Sequence, residues 1–258
     1  MKMLLKILPI LLVLPNYLVA QDTFYDKQQL YVWAKDGIIL RDAPFKKSLK
    51  IKNLSYGTKV VVVEKDSAPT NDSVLVIPAA AEQGGRKTLP FFLPGYWVYV
   101  ITGRDSGYVF SGYLSKMEPF TPVPVKDTNK RDLDSSIGGW LTQKSGVLDN
   151  RIIDVSDGDY TRVYKNHVVE YYHTSEGGGS VRYTFQYGMS FQDGFLLLNY
   201  FENLHFTKAE IKACETFELT SRVEYLFNYS IGLRGGIANM FRLSFKDGIL
   251  IIEIGGGC

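Results

Sequence analysis

The chain has 258 residues, with 29 basic against 27 acidic side chains, 45% apolar residues and 14% aromatic ones. That aromatic content excludes a disordered chain, and the near-balanced charge argues against a nucleic-acid binder, whose affinity rests on clustered Lys and Arg against phosphate. Beyond the first twenty residues no apolar run is long enough to cross a bilayer as a helix, so no membrane span is expected.

Residues 1–20 have the three-part layout of a secretory signal: a charged start at Lys2 and Lys6, an apolar run from Ile7 to Leu14, and a short finish ending in Ala20. The run is too short to span a membrane, and no Cys stands near the cleavage point to take a lipid anchor. The expected product starts at Gln21 and is periplasmic or secreted. Losing Lys2 and Lys6 leaves 27 basic and 27 acidic residues, a net charge of zero. The remaining chain is long enough for two modest domains.

Short strands are expected at Leu30–Ala34, Gly37–Leu40, Thr58–Val63, Tyr96–Ile101 and Gly107–Phe110, rich in Val, Ile, Tyr and Trp and punctuated by Gly, Pro, Asp and Asn. Five such strands suit a small barrel. Lys46, Lys47, Lys50 and Lys52 form a basic stretch that reads as a solvated strand and loop. From Glu118 to Ser136, Phe120-Thr-Pro-Val-Pro-Val125 gives way to polar residues without periodicity, which marks a linker over 118–136.

In residues 137–258, strands are expected at Tyr160–Tyr164 and His167–His173, joined by a two-residue turn at Lys165-Asn166, and at Val181–Tyr187 after the glycines 177–179. Ser190-Phe-Gln-Asp193 is a capping signal that opens a helix through Phe195, Leu196, Leu197, Leu198, Tyr200 and Phe201. Thr207-Lys-Ala-Glu210 repeats the signal for a shorter helix ending near Cys214. Strands return at Arg222–Tyr229, Met240–Phe245 and Ile249–Ile254, the last two turned by Asp247-Gly248. The expected fold is mainly β: a small barrel, then an α+β domain whose antiparallel sheet of five or six strands carries one or two helices on one face. Cys214 and Cys258, the only cysteines, are in an exported chain either a disulfide or two thiols.

Read in order, Leu30-Tyr-Val-Trp-Ala34, Ile39-Leu-Arg-Asp-Ala-Pro44, Tyr56-Gly-Thr-Lys-Val60, Trp97-Val-Tyr-Val100 and Gly107-Tyr-Val-Phe-Ser-Gly-Tyr-Leu114 resemble the bacterial SH3-type domain. Pro44 ends a strand and fixes the following turn, and Gly57 supplies a permissive backbone at a corner. The resemblance implies an SH3-like barrel over 21–117, interrupted by an insertion at 65–95 that either drapes over the barrel or extends it with a hairpin. It further implies a binding module of the cell envelope for a cell-wall peptide or a protein ligand, with Tyr31, Trp33, Tyr96, Tyr99, Tyr108 and Tyr113 as the candidate platform. Residues 137–258 resemble no family.

SH3-type modules often ride beside wall hydrolases, so the resemblance makes a catalytic site in the second half a possibility to weigh. Cys214, at the expected end of a helix, and Cys258, the last residue, lack the helix N-terminus that lowers a thiol pKa. His167, His173 and His205 are the only histidines; on one strand His167 and His173 would share a face while Glu170 points away, and no His-Glu-x-x-His occurs. Asp154-Val-Ser-Asp-Gly-Asp159 has the wrong spacing for an EF-hand and reads as an Asp-Gly turn entering a strand. Nucleophile-elbow and phosphate-loop motifs are absent. The reading is a non-catalytic envelope protein without metal or cofactor. The alternatives are a periplasmic inhibitor or immunity-type protein that blocks a partner enzyme, and a divergent wall hydrolase.

Overall fold

Alternation of apolar and polar side chains sets the strands in the computed structural model, which describes residues 22–65, 70–77, 80–81, 87–88, 90–121, 136–154, 158–175, 177–202, 204, 214–223, 226–233 and 238–257. The first half forms β1 (Gln29–Val32), β2 (Ile38–Arg41), β3 (Lys50–Leu54), β4 (Lys59–Val62), β5 (Thr70–Ile77), the short pair β6 (Ala80–Ala81) and β7 (Lys87–Thr88), then β8 (Phe91–Thr102), β9 (Asp105–Phe110) and β10 (Leu114–Ser115). Leu30, Val32, Ile38, Leu40, Val60, Val62 and Val100 are buried, and their neighbours within each strand are more exposed. The strands follow the path β10-β1-β4-β8-β9-β2-β3, with β5 paired on β8. The path is open, with β10 and β3 at its ends, so the sheet is antiparallel and not closed into a barrel. Gly57 turns the corner before β4 with φ +79°, the left-handed region that disfavours other residues. Of the expected insertion, β5 extends β8 as a hairpin, and Phe91 packs on Phe195 with ring centroids 5.5 Å apart.

The second half contains α1 (Ile137–Lys144), β11 (Val147–Asp154), β12 (Asp159–Tyr164), β13 (Val169–Ser175), β14 (Gly178–Phe185), α2 (Phe191–Glu202), β15 (Cys214–Val223), β16 (Leu226–Leu233), β17 (Ala238–Lys246) and β18 (Ile249–Gly257). They build one antiparallel sheet in the order β11-β12-β13-β14-β18-β17-β16-β15. It has eight strands, not five or six: β11 lacks a clean alternation, and the expected strand Arg222–Tyr229 straddles the hairpin between β15 and β16. Cys214 opens β15 and its side chain is not described; Cys258 and the short helix expected from Thr207 lie outside the described residues, and with Cys258 any disulfide.

The β12–β13 turn also differs from expectation. Tyr164 N–H donates to Val168 O and His167 N–H to Tyr164 O, which closes a three-residue loop with His167 at φ +63°. Without Gly at either turn position, two left-handed residues are costly, and the longer loop needs only one. His167 therefore sits in a turn and does not share a strand face with His173. Asp247-Gly248 does form its turn, with φ of 53° and 79°.

Helix α2 is capped as expected: Ser190 Oγ accepts from Asp193 N–H at 3.0 Å, and Asp193 Oδ2 accepts from Ser190 N–H at 3.1 Å. Phe191 through Asn199 are all buried. A helix buried all round must be covered on all sides, and its polar Gln192 and Asp193 must find partners there. One side lies on β17 and β18, where a Cβ on Gly194 would stand 2.7 Å from Leu243 Cδ1 and 2.8 Å from Leu250 Cδ1. The other side meets the first half, through Phe91 and through Gln192 Nε2, which donates to Ser111 O and Leu114 O at 2.9 Å each. Trp33 joins this seam, edge-on to Trp140 and Tyr200 with centroids 6.3 and 5.8 Å away. The buried residues of both halves form one apolar cluster.

Candidate functional site

A groove of about 650 Å³ lies on the first half. Its walls come from the extended segment Thr23–Asp26, from Val62–Lys65 at the end of β4, from Pro44, and from Tyr96–Tyr99 and Tyr108 on β8 and β9. Antiparallel pairing puts Tyr99 directly opposite Tyr108, and their rings meet edge to face at 5.0 Å. Tyr99 OH donates to Ser106 Oγ at 2.8 Å, and Lys65 Nζ stands 4.0 Å above the Tyr99 ring. Trp97 Nε1–H donates to Asp72 Oδ2 at 3.0 Å. Burial works to raise the Asp72 pKa, but hydrogen bonds from Ser73 N–H, Lys46 and Trp97 outweigh it and hold the carboxyl below its ordinary value. Asp72 therefore stays ionised and fixes the indole. Tyr25, 69% exposed, leaves a large ring at the mouth.

The six aromatics singled out from the sequence divide three ways. Tyr96, Tyr99 and Tyr108 line the groove together. Tyr96 does so from a buried position: its hydroxyl accepts from Phe24 N–H at 2.8 Å and donates to Asp22 O at 3.2 Å, which straps the N-terminal segment down as a wall. Trp33 and Tyr113 are buried core residues, Trp33 with Nε1–H on Met117 O at 2.9 Å, and neither ring reaches the surface as a platform. Tyr31 lies outside the groove, its hydroxyl accepting from Gln29 Nε2 at 2.7 Å. Tyr25, Pro44, Lys65 and Trp97 were not foreseen. Tyr25 precedes the first strand and carries no alternation signal, and Trp97 reads as core because its strand neighbours do.

A second, smaller cavity of about 320 Å³ lies on the face of the second sheet turned away from α2. Register places Tyr171, Arg182, Glu253 and Arg242 in one row across β13, β14, β18 and β17. Glu253 binds Arg182 Nε at 2.5 Å and Arg242 Nη1 at 3.0 Å. Beside them His173 Nδ1 pairs with Asp159 Oδ2 at 2.7 Å. That bond, then the Thr174 N–H, holds the Asp159 carboxyl below its ordinary pKa. Glu170 is on the opposite face, as expected, buried with Tyr160 OH at 2.7 Å and Tyr164 OH donating to it. Burial, then the Glu170 hydrogen bond, raises both phenol pKa values. Tyr164 OH also lies 3.3 Å from Gly138 O, so this cluster packs against α1. Among the described residues no group of three or more His, Cys, Asp or Glu is arranged to hold a metal ion, and no helix is long and apolar enough to cross a membrane.

Fold and site together define a mainly β protein with two eight-stranded antiparallel sheets around a buried helix and an aromatic groove on the first of them. No family model, no curated protein and no solved structure matches the chain.

Proposed function

We propose that this is a non-catalytic binding protein of the cell envelope whose aromatic groove holds an extended peptide of the cell wall or of an envelope protein. The observation that carries the reading is the groove of about 650 Å³ walled by Tyr25, Pro44, Tyr96, Trp97, Tyr99 and Tyr108. Its size is that of a ligand site, and rings with polar tips beside Asp26, Glu64 and Lys65 suit a peptide's mixed surface. The SH3-type reading draws support from the grouping of its segments: β1, β4, β8, β9 and β2 are consecutive in one sheet, and the closing Leu114 pairs with Val32 of β1.

The test is retention of the full chain on purified peptidoglycan and, in parallel, capture from envelope lysate, with Tyr99→Ala/Tyr108→Ala as the comparison. Loss of two stacking rings should weaken wall retention roughly tenfold or more. Equal retention of the variant would move the ligand off this groove. A second reading, a partner-blocking inhibitor, rests on Leu75 and Phe92, directly opposite on β5 and β8 and 47% and 40% exposed. It predicts one protein captured in stoichiometric amount, dependent on Leu75 and Phe92 and indifferent to Tyr99.

A further inference from the structure

The connection between β2 and β3 turns Ser48 inward and leaves the apolar side chains of Phe45 and Leu49 outward. Ser48 is buried, and its Oγ is 2.8 Å from both Ala43 O and Phe45 O. Arg41 Nη1 donates to Ser48 O at 2.6 Å, Ser48 N–H to Phe45 O and Asp42 N–H to Leu49 O. This bonding fixes the shape of the tip. Phe45 and Leu49 are nevertheless 53% and 71% exposed, and Ile51 just beyond is 44% exposed. A solvated turn needs no such trio, since polar side chains would serve it better.

The charges around the trio are one-sided. From Arg41 to Lys52 the chain carries Arg41, Lys46, Lys47, Lys50 and Lys52 against Asp42 alone. Lys46 and Lys52 are engaged by Asp72 at 3.1 Å and Asp105 at 2.7 Å, and Lys47 and Lys50 stand exposed. Phe45, Leu49 and Ile51 line neither described cavity. They are presented on a turn and an outermost strand, not in a groove that would grip a peptide.

We infer that the β2–β3 tip is a contact site for an anionic lipid surface, in which Phe45, Leu49 and Ile51 enter the headgroup boundary and Lys47 and Lys50 meet lipid phosphates. Interfacial binding grows with buried apolar area and with attraction to anionic lipid, and the tip offers both within a few residues. An acidic polypeptide would match the lysines and leave the apolar trio in water. Pro44 of the same tip lines the aromatic groove, so the bound chain would present that groove close to the membrane.

The full chain is tested by co-sedimentation with vesicles of equal parts phosphatidylcholine and phosphatidylglycerol, and of phosphatidylcholine alone, with amide hydrogen exchange read in the same samples. The expected result is binding to the anionic vesicles only, with slowed exchange over residues 43–50. Lys47→Glu/Lys50→Glu should weaken it, by about fivefold for each positive charge lost and further for the reversal. Phe45→Ser/Leu49→Ser should also weaken it at unchanged melting temperature. Vesicle binding without protection of 43–50, or variants that bind as the parent does, would overturn the inference. Protection of the tip by polyglutamate and not by vesicles would overturn it in favour of an acidic protein partner.

Discussion

Asp193 shows how a single residue carries both a local and a long-range task. It caps α2 through Ser190 and, from the same carboxylate, bonds Ser115 of the first half. Burial pushes its pKa from 3.8 up to about 6; the nearby Asp22 carboxylate adds to the rise, and hydrogen bonds from Ser115 and Ser190 oppose it. The folded chain therefore holds this proton more tightly than the unfolded chain. Stability from this group is greatest below about pH 4, falls as pH rises toward about 6, and is flat above, a span of about 3 kcal/mol for a shift of about two units. Asp22, also raised by burial, acts in the same direction. Asp193→Asn keeps an acceptor for Ser190 N–H and has no proton to lose. In urea unfolding, its stability relative to the parent should rise by about that amount between pH 4 and pH 7; parallel pH profiles would contradict the assignment.

At the scale of elements, Gly194 decides how close α2 lies to its sheet. Ala is the better helix former by about 1 kcal/mol, yet its Cβ would fall under 3.0 Å from methyls of Leu243 and Leu250, both fully buried. The clash should win, and Gly194→Ala is expected to lower the unfolding free energy by about 1–3 kcal/mol. A gain in thermal stability would show that the leucines can yield. The elements legible from sequence were those with a local signal: α2 from its capping box, and β17–β18 from Asp247-Gly248. Helix α1 was missed because Gly138 and Gly139 lower its propensity; the Ser136 cap, with Oγ accepting from Gly139 N–H at 3.1 Å, was its only trace. Glycine is needed at 138, where a Cβ would stand 3.0 Å from Glu170 Oε2, and that requirement is written in β13, far along the chain.

For the whole molecule, α2 is the shared wall between the halves, with Phe195, Leu196, Leu197 and Leu198 wholly buried. Each such side chain stabilises by about 1.5–3 kcal/mol. A fragment of residues 137–258 would bare one side of that helix and the rings of Trp140 and Tyr200, which meet Trp33 of the first half edge-on. We expect it to aggregate or to bind a hydrophobic dye, and to be rescued by co-expression with residues 21–121; a monodisperse fragment with a cooperative transition would contradict the shared core. Alternation revealed which side chains share a strand face, but not which face α2 would cover. Tyr99 and Tyr108 stand on strands and reach the groove, whereas Trp33, just past β1, and Tyr113, in the 3-10 turn Ser111–Tyr113, lie off the strands and are buried in the core.

Entry of ligand into the aromatic groove of the first sheet is read most directly by an NMR titration of the labelled chain with soluble peptidoglycan fragments. The expected result is shifts at the Trp97 indole N–H and at the amides of residues 23–26, 63–65, 96–99 and 108. Shifts confined instead to residues 171–182, 242 and 253 would place the ligand on the charged face of the second sheet and contradict it.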